Sequence, residues 1–567
     1  MKKFATLLAT TAVAGMVSSA AFAERGSDGH LNIIYWQAPS ILNPYLSGGT
    51  KDIESSSLTL EPLARYNDQA EMVPWLAEEI PTVGNGGVSA DLTSITWKLK
   101  KGIKWSDGSD FTAADVVFTA DYCMDETGGC QQAEKFADIT SVEAVDDHTV
   151  KITFSKAKPF PYAALVGGES PIIQKAQFQD CMGAKAPECT EQNFGPHGTG
   201  PFTVTEFKAN DVSSWVANPH YRDAAKPAFA SLTFKGGGDA ASAARAVLQT
   251  GEFDYAWNLQ IDPQILIDME KDGKGTVVAS FGTGVERMMV NMTNPDPALG
   301  DKRATVEGGP HPFLVDPAVR RALSLAIDRQ TLVDVGYGKA GTPTCNVVPN
   351  PPQYVSDAND WCLTQDIAQA NKILDEAGWV KGGDGIRAKD GVKLSILYQT
   401  STNAVRQDTQ ALVKQWWSEI GVETELRNID ASVFFGGDQS SPDTFQKFFA
   451  DIEMYTNLFN GTDPESYMNG WTCGQIPSPS NNWLGNNMPR YCNPDYDALQ
   501  EKLAKTADLA ERAAIVKQQN DLLVSDGAMI PLIHRGRVSA HSKTMGGVKL
   551  NTWDSELWNS ADWVRLD

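Results

Sequence analysis

The chain has 567 residues, with 71 acidic against 48 basic side chains for a net charge of −23, and 42% of its residues are hydrophobic. That length exceeds what one hydrophobic core usually serves, so two or three substructures are expected. The charge argues against nucleic acid or an anionic membrane surface as a partner and fits solubility outside the cytoplasm.

The first 23 residues read as a signal peptide. Lys2-Lys3 precede an apolar run from Phe4 to Val17, and Ala21-Phe22-Ala23 form a small-x-small cleavage site before Glu24. The run is short for an uncleaved anchor, no cysteine near the site offers a lipid attachment point, and no later stretch approaches the ~18 apolar residues of a membrane span. The mature chain is expected to be exported. Its eight cysteines fall into neighbouring pairs: Cys123 with Cys130, Cys181 with Cys189, Cys345 with Cys362, and Cys473 with Cys492. Short separations and an oxidising destination favour four local disulfides, and without a CxxC pair or a His among them metal binding is disfavoured.

In chain order, Leu31 to Trp36 reads as a strand leading to Leu42-Asn43-Pro44. Ile95, Trp97 and Leu99 alternate with polar residues as in a half-buried strand; Asp107-Gly108 gives a turn, and Thr112 with Asp115 a capping box opening a helix. Val142 to Phe154 reads as a hairpin turning at Asp146-Asp147, and Ala240 to Leu248 as a helix. Asp316-Pro317 starts another, with Val319, Ala322, Leu323, Ala326 and Ile327 on one face and Arg320 and Arg321 read as solvated charges. Ile367 to Trp379 is an amphipathic helix with Gly378 as its C-cap. Lys393 to Gln399 alternates as a strand before a polar loop and a helix from Ala404 to Ile420.

Several of these stretches together resemble one family. The strings ITWKLKKGIKWSDGSDFTAADV, GTGPFTVTEFKANDVSSWVANPHY, DPAVRRALSLAIDRQTLV and IAQANKILDEAGW are similar to motifs of the family 5 extracellular solute-binding proteins of ABC importers, whose members bind peptides, nickel or glycosides. The resemblance implies a mixed α/β, two-lobe periplasmic binding protein fold of the large dipeptide/oligopeptide type, with an extra subdomain on lobe I. The implied division is lobe I from 24–56, 199–284 and 533–567, the extra subdomain from 57–198, and lobe II from 285–532. It also implies a periplasmic monomer that captures a small solute or peptide and passes it to a permease with a separate ATPase, without a cofactor, a metal or a catalytic residue.

Candidate ligand contacts follow from the same resemblance. Trp36 and Trp257 lie where lobe I meets the cleft, Trp36 either stacking on the ligand or packing under its strand. Tyr398, Gln399, Thr402 and Arg406 lie at the strand end and loop that line the cleft in relatives. In IEMYTNLFNGTDPESY, peptide binders carry an acid that neutralises the ligand's ammonium, but Leu458 and Phe459 fall there. An unpaired buried ammonium is costly, so either Glu453 or another acid substitutes or the ligand is not an ordinary peptide. Tyr455, Asn457 and Phe459 complete the candidate set, and an oligosaccharide, glycoside or opine is the alternative cargo. The alternative class, a secreted hydrolase, lacks GxSxG, HExxH and P-loop signatures and would need two carboxylates in one cleft.

Overall fold

The computed structural model describes residues 24–566 apart from Gln439. Two large sheets organise it. The first has seven strands in the order Gly275–Ser280, Arg537–Ser542, Tyr255–Trp257, His30–Tyr35, Ser231–Gly236, Val212–Ala217 and Phe202–Phe207. The second has six, in the order Gly341–Pro343, Met529–Arg535, Val285–Val290, Ile452–Asn457, Ser395–Ser401 and Glu423–Ile429. The mixed α/β, two-lobe architecture is as expected.

The chain crosses between the sheets twice. Gly282–Gly284 join Gly275–Ser280 to Val285–Val290, and Gly536 alone separates Met529–Arg535 from Arg537–Ser542. A side chain at Gly282 would bring its Cβ to 2.5 Å from the Thr552 carbonyl oxygen, so this crossing needs glycine where it threads past the C-terminal segment. Met529–Arg535 stays paired in the six-stranded sheet to its last residue, so the return to lobe I falls at Gly536 and not at the expected residue 533.

A third body hangs on lobe I. Ser94–Lys98, Thr149–Phe154 and Ile139–Asp146 form a three-stranded antiparallel sheet against the helix Ala113–Met124. Ile95 and Trp97 are fully buried, as their alternation requires, and join Trp105, Phe111 and Val116 in a separate core. The Asp107 carboxylate accepts from Ser109 N at 2.9 Å to close the turn, and Asp115 accepts from Thr112 N at 3.0 Å to close the cap.

In lobe II, Asp316 caps Pro317–Leu325 by accepting from Ala318 N at 2.9 Å. The apolar stripe continues to Ile327, but the helix stops earlier because Asp328 caps a new helix, Arg329–Gly336. Arg320 is not solvated: it is 8% exposed and donates to the Leu314 carbonyl at 2.7 Å, while Arg321 lies over the Trp361 ring.

All four expected disulfides are formed. Cys123 is bonded to Cys130 and Cys181 to Cys189 in the third body, and Cys345 to Cys362 and Cys473 to Cys492 in lobe II. Each closes a short loop, so none of these thiols is free to ligate a metal or react. Among the described residues no helix is long and apolar enough to cross a membrane.

Candidate ligand-binding cleft

A cleft lies where the two sheets, both crossings and the third body converge, with about 1600 Å³ of empty space, part of it open to solvent. Its lobe II wall is aromatic. Phe435, Phe445 and Tyr455 pack edge-on or tilted, with Phe445 and Tyr455 centroids 5.2 Å apart, and Phe459, Tyr467 and Trp471 extend the wall, Tyr467 standing perpendicular to Trp471 at 4.5 Å. The side facing it is polar, with Gln37, Lys51, Glu134, Lys135 and Glu169, and Trp257 supplies a ring.

Charge is paired unevenly at the crossings. Successive residues of a strand face opposite ways, so Glu286 and Arg287 do not pair with each other. Glu286, 1% exposed, accepts from Arg406 Nε at 2.8 Å and lies 3.6 Å from Arg535 Nη1. Burial alone would raise the Glu286 carboxyl, but the two guanidiniums hold it below its usual value. Two cations therefore share one anion, and both line the cleft. On the other side of Gly536, Arg537 lies 2.9 Å from Glu54 and 3.8 Å from Glu556, two buried acids sharing one cation. Burial pushes Glu54 up to about 7, against the pull of Arg537 and with the push of Glu556.

Glu134 has no cation within ion-pair distance among the described residues, because its neighbour Lys135 is held by Glu169 at 2.8 Å. Burial pushes Glu134 up to about 7. At one rim Lys158 of the third body meets Glu465 of lobe II at 2.7 Å, and Arg512 binds both Glu465 and Asp463. At another, Gln260 of lobe I accepts from Asn403 at 2.8 Å and donates to the Tyr337 hydroxyl at 3.0 Å.

Of the residues expected at the ligand, Trp257, Arg406, Tyr455, Asn457 and Phe459 line the cleft. The others lie elsewhere. Trp36 packs under its strand with Ala243 and Leu266 and donates Nε1 to the Asn258 carbonyl at 2.7 Å. Tyr398 is fully buried in the lobe II core, its hydroxyl 3.0 Å from Met454 Sδ. Gln399 and Glu453 face each other behind the wall at 3.1 Å, and burial keeps the Glu453 carboxyl well above its usual range despite Gln399 and Arg490. Glu453 is fully buried and does not line the cleft, unlike Glu134. Thr402 is exposed and donates to the Ile429 carbonyl at 3.3 Å. The strand Ser395–Ser401 is internal to its sheet, between Ile452–Asn457 and Glu423–Ile429, which is why its side chains serve the core.

Sequence reasoning did not single out Glu286, Arg535, Phe435, Phe445, Tyr467 or Trp471. For Glu286 a signal was present: two adjacent charges in VERMMV, an otherwise apolar strand buried at every position. Phe435, Phe445 and Trp471 come from irregular segments and Tyr467 from the short helix Glu465–Asn469, with no periodicity to mark them.

The family model for bacterial extracellular solute-binding proteins, family 5 Middle, matches residues 71–480. Protein XP55 of Streptomyces lividans is 28% identical over 504 residues, covering 88% of this chain and 82% of that protein. The glutathione-binding protein GsiB of Escherichia coli K12 is 25% identical over 508 residues, 89% of each. The oligopeptide-binding protein AppA of Bacillus subtilis, solved with a nonapeptide, superposes with a TM-score of 0.81 at 22% identity, over 96% of this chain and all of that one. With both crossings, the cleft between the lobes and a family match over most of its length, the chain belongs to the family 5 bacterial extracellular solute-binding proteins.

Proposed function

We propose that the protein captures a short peptide in the interlobe cleft, in the periplasm, and hands it unaltered to the permease of an ABC importer whose ATPase is a separate subunit. The observation that carries the peptide reading is the uneven pairing of charge. Arg406 and Arg535 share Glu286 and leave one positive charge for a carboxylate, while Glu134 on the facing side has no cation among the described residues and can take an ammonium. Between them the aromatic wall offers side-chain contacts that depend little on sequence. Glutathione and a nonapeptide are the cargoes of the relatives named above, which supports the same chemistry.

In this reading residues 1–23, which lie outside the described residues, direct export and are removed after Ala23 without lipid attachment. Lobe I, its extra subdomain and lobe II work as a monomeric clamshell, and closure depends on the solute binding the closed form better than the open one.

The test is native mass spectrometry of the mature protein after incubation with a mixture of short peptides and small oligosaccharides. A retained peptide of unchanged mass is expected. Retention of an oligosaccharide alone would overturn the peptide reading, and a cleaved product would overturn capture without chemistry.

A further inference from the structure

Lobe II buries a guanidinium that its own fold does not satisfy. Arg65, Arg287, Arg329, Arg387 and Arg512 are among the largest fully buried side chains. Arg65 pairs with Asp554, Arg387 with Asp375 and Arg512 with Asp463, while Arg329 spends its donors on the carbonyls of Pro531, Ser324 and Cys362. Arg287 differs. Its one hydrogen bond goes to the Tyr467 hydroxyl, and no carboxylate lies within ion-pair distance among the described residues. Its Nε and Nη2 have no partner there.

The surroundings make this more than a packing accident. The Arg287 Cζ lies 5.0 Å from the Trp471 ring centroid and 5.5 Å from that of Tyr467, so two ring faces support the cation. The Trp471 indole N–H is also buried and unpartnered. Tyr455 sits directly across the sheet from Arg287. All three rings line the cleft, so the guanidinium stands one ring behind its surface. Two positions along the same face of the neighbouring strand, Glu453 accepts from Gln399 and makes no ion pair with Arg287, and burial raises its carboxyl. A buried cation without an anion costs several kcal/mol, and that cost is recovered by whatever brings a negative charge to it.

We infer that Arg287, with the indole N–H of Trp471 beside it and Tyr455 across the sheet, forms a recessed subsite for a carboxylate on the solute's side chain, distinct from the Arg406–Arg535 pair at the crossings. The carboxylate takes the free Nε and Nη2 edge of the guanidinium once the Tyr467 ring turns aside. The subsite rests on the interlobe cleft being where solute binds, and it makes the cleft selective for acidic cargo.

The experiment compares affinities of the mature protein for Ala-Glu-Ala, Ala-Gln-Ala and glutarate by calorimetry, in wild type and in Arg287→Met. The wild type is expected to bind Ala-Glu-Ala about tenfold or more tighter than Ala-Gln-Ala. Arg287→Met erases that ratio by weakening the acidic peptide alone. Equal affinities in the wild type, or a ratio that survives the substitution, overturn the subsite. If neither tripeptide binds, the peptide reading fails and glutarate decides: saturable binding lost in Arg287→Met supports the subsite, and no binding overturns it. Should Arg287→Met not fold, a wild-type structure grown with the tightest-binding of these probes serves instead, since a side-chain carboxylate found away from Arg287 overturns the inference.

Discussion

Across the cleft, lobe II presents Phe435, Phe445, Tyr455, Phe459, Tyr467 and Trp471, while lobe I and its extra subdomain present Gln37, Lys51, Glu134, Lys135 and Glu169 around the single ring of Trp257. The rings of the aromatic wall pack against one another and form a surface suited to apolar or planar groups. The polar side is held by ion pairs such as Lys135–Glu169. In the proposed capture, closure of the lobes brings both sides to bear on one solute.

The largest expected effect comes from the point where both sides meet. Glu286→Gln leaves Arg406 and Arg535 buried without an anion, and should cost about 3–5 kcal/mol of unfolding free energy in a denaturant titration. A loss below about 1 kcal/mol would mean that these cations are solvated and the cleft floor is not a charge cluster.

Next, Tyr455→Ala and Trp257→Ala each remove a ring facing the solute and should weaken binding about 10- to 100-fold. Tyr398→Phe, which deletes a hydroxyl that faces Met454 behind the wall, should leave affinity within about twofold. Equal losses at Tyr455 and Tyr398 would erase the distinction between wall and core.

Lys158→Gln sharpens the comparison from the rim. It deletes the ion pair to Glu465 that spans the subdomain and lobe II, touching no cleft side chain other than through closure. An affinity loss of about 3- to 10-fold with faster solute release is expected in stopped-flow measurements, because one contact between the subdomain and lobe II is gone.

The smallest effect concerns Glu134. The folded chain keeps its proton up to about pH 7, whereas an unperturbed glutamate releases it near 4.5, so stability falls as pH rises through that window. Glu134→Gln should remove part of this fall, flattening the melting temperature between pH 5 and pH 7 by about 1–2 °C. An unchanged slope would place the titration on Glu54 instead, which burial pushes to the same value.

Much of the scaffold is legible in the amino-acid sequence alone. The alternation of Ile95 and Trp97, the Thr112–Asp115 cap and the N-cap of Asp316 are local signals, and local signals survive folding. The cysteine pairs are legible because neighbours in sequence close short loops. The cleft is legible only in part. Trp257, Arg406, Tyr455, Asn457 and Phe459 reach it, but Tyr398, Gln399 and Glu453 do not, because which face of an internal strand meets ligand depends on sheet order and not on the strand's own pattern. Phe435, Phe445, Tyr467 and Trp471 gather from separate loops and a short helix, so no spacing could announce them. Glu286 and Arg287 do carry a signal, since adjacent charges inside VERMMV have no place in a plain core strand.

Small-angle X-ray scattering of the mature protein, with and without the peptide that native mass spectrometry identifies, tests the account most directly. A smaller radius of gyration on binding, returning to the free value when the peptide is removed, is the predicted result. Saturating peptide with an unchanged radius and profile would contradict closure of two lobes around a captured solute.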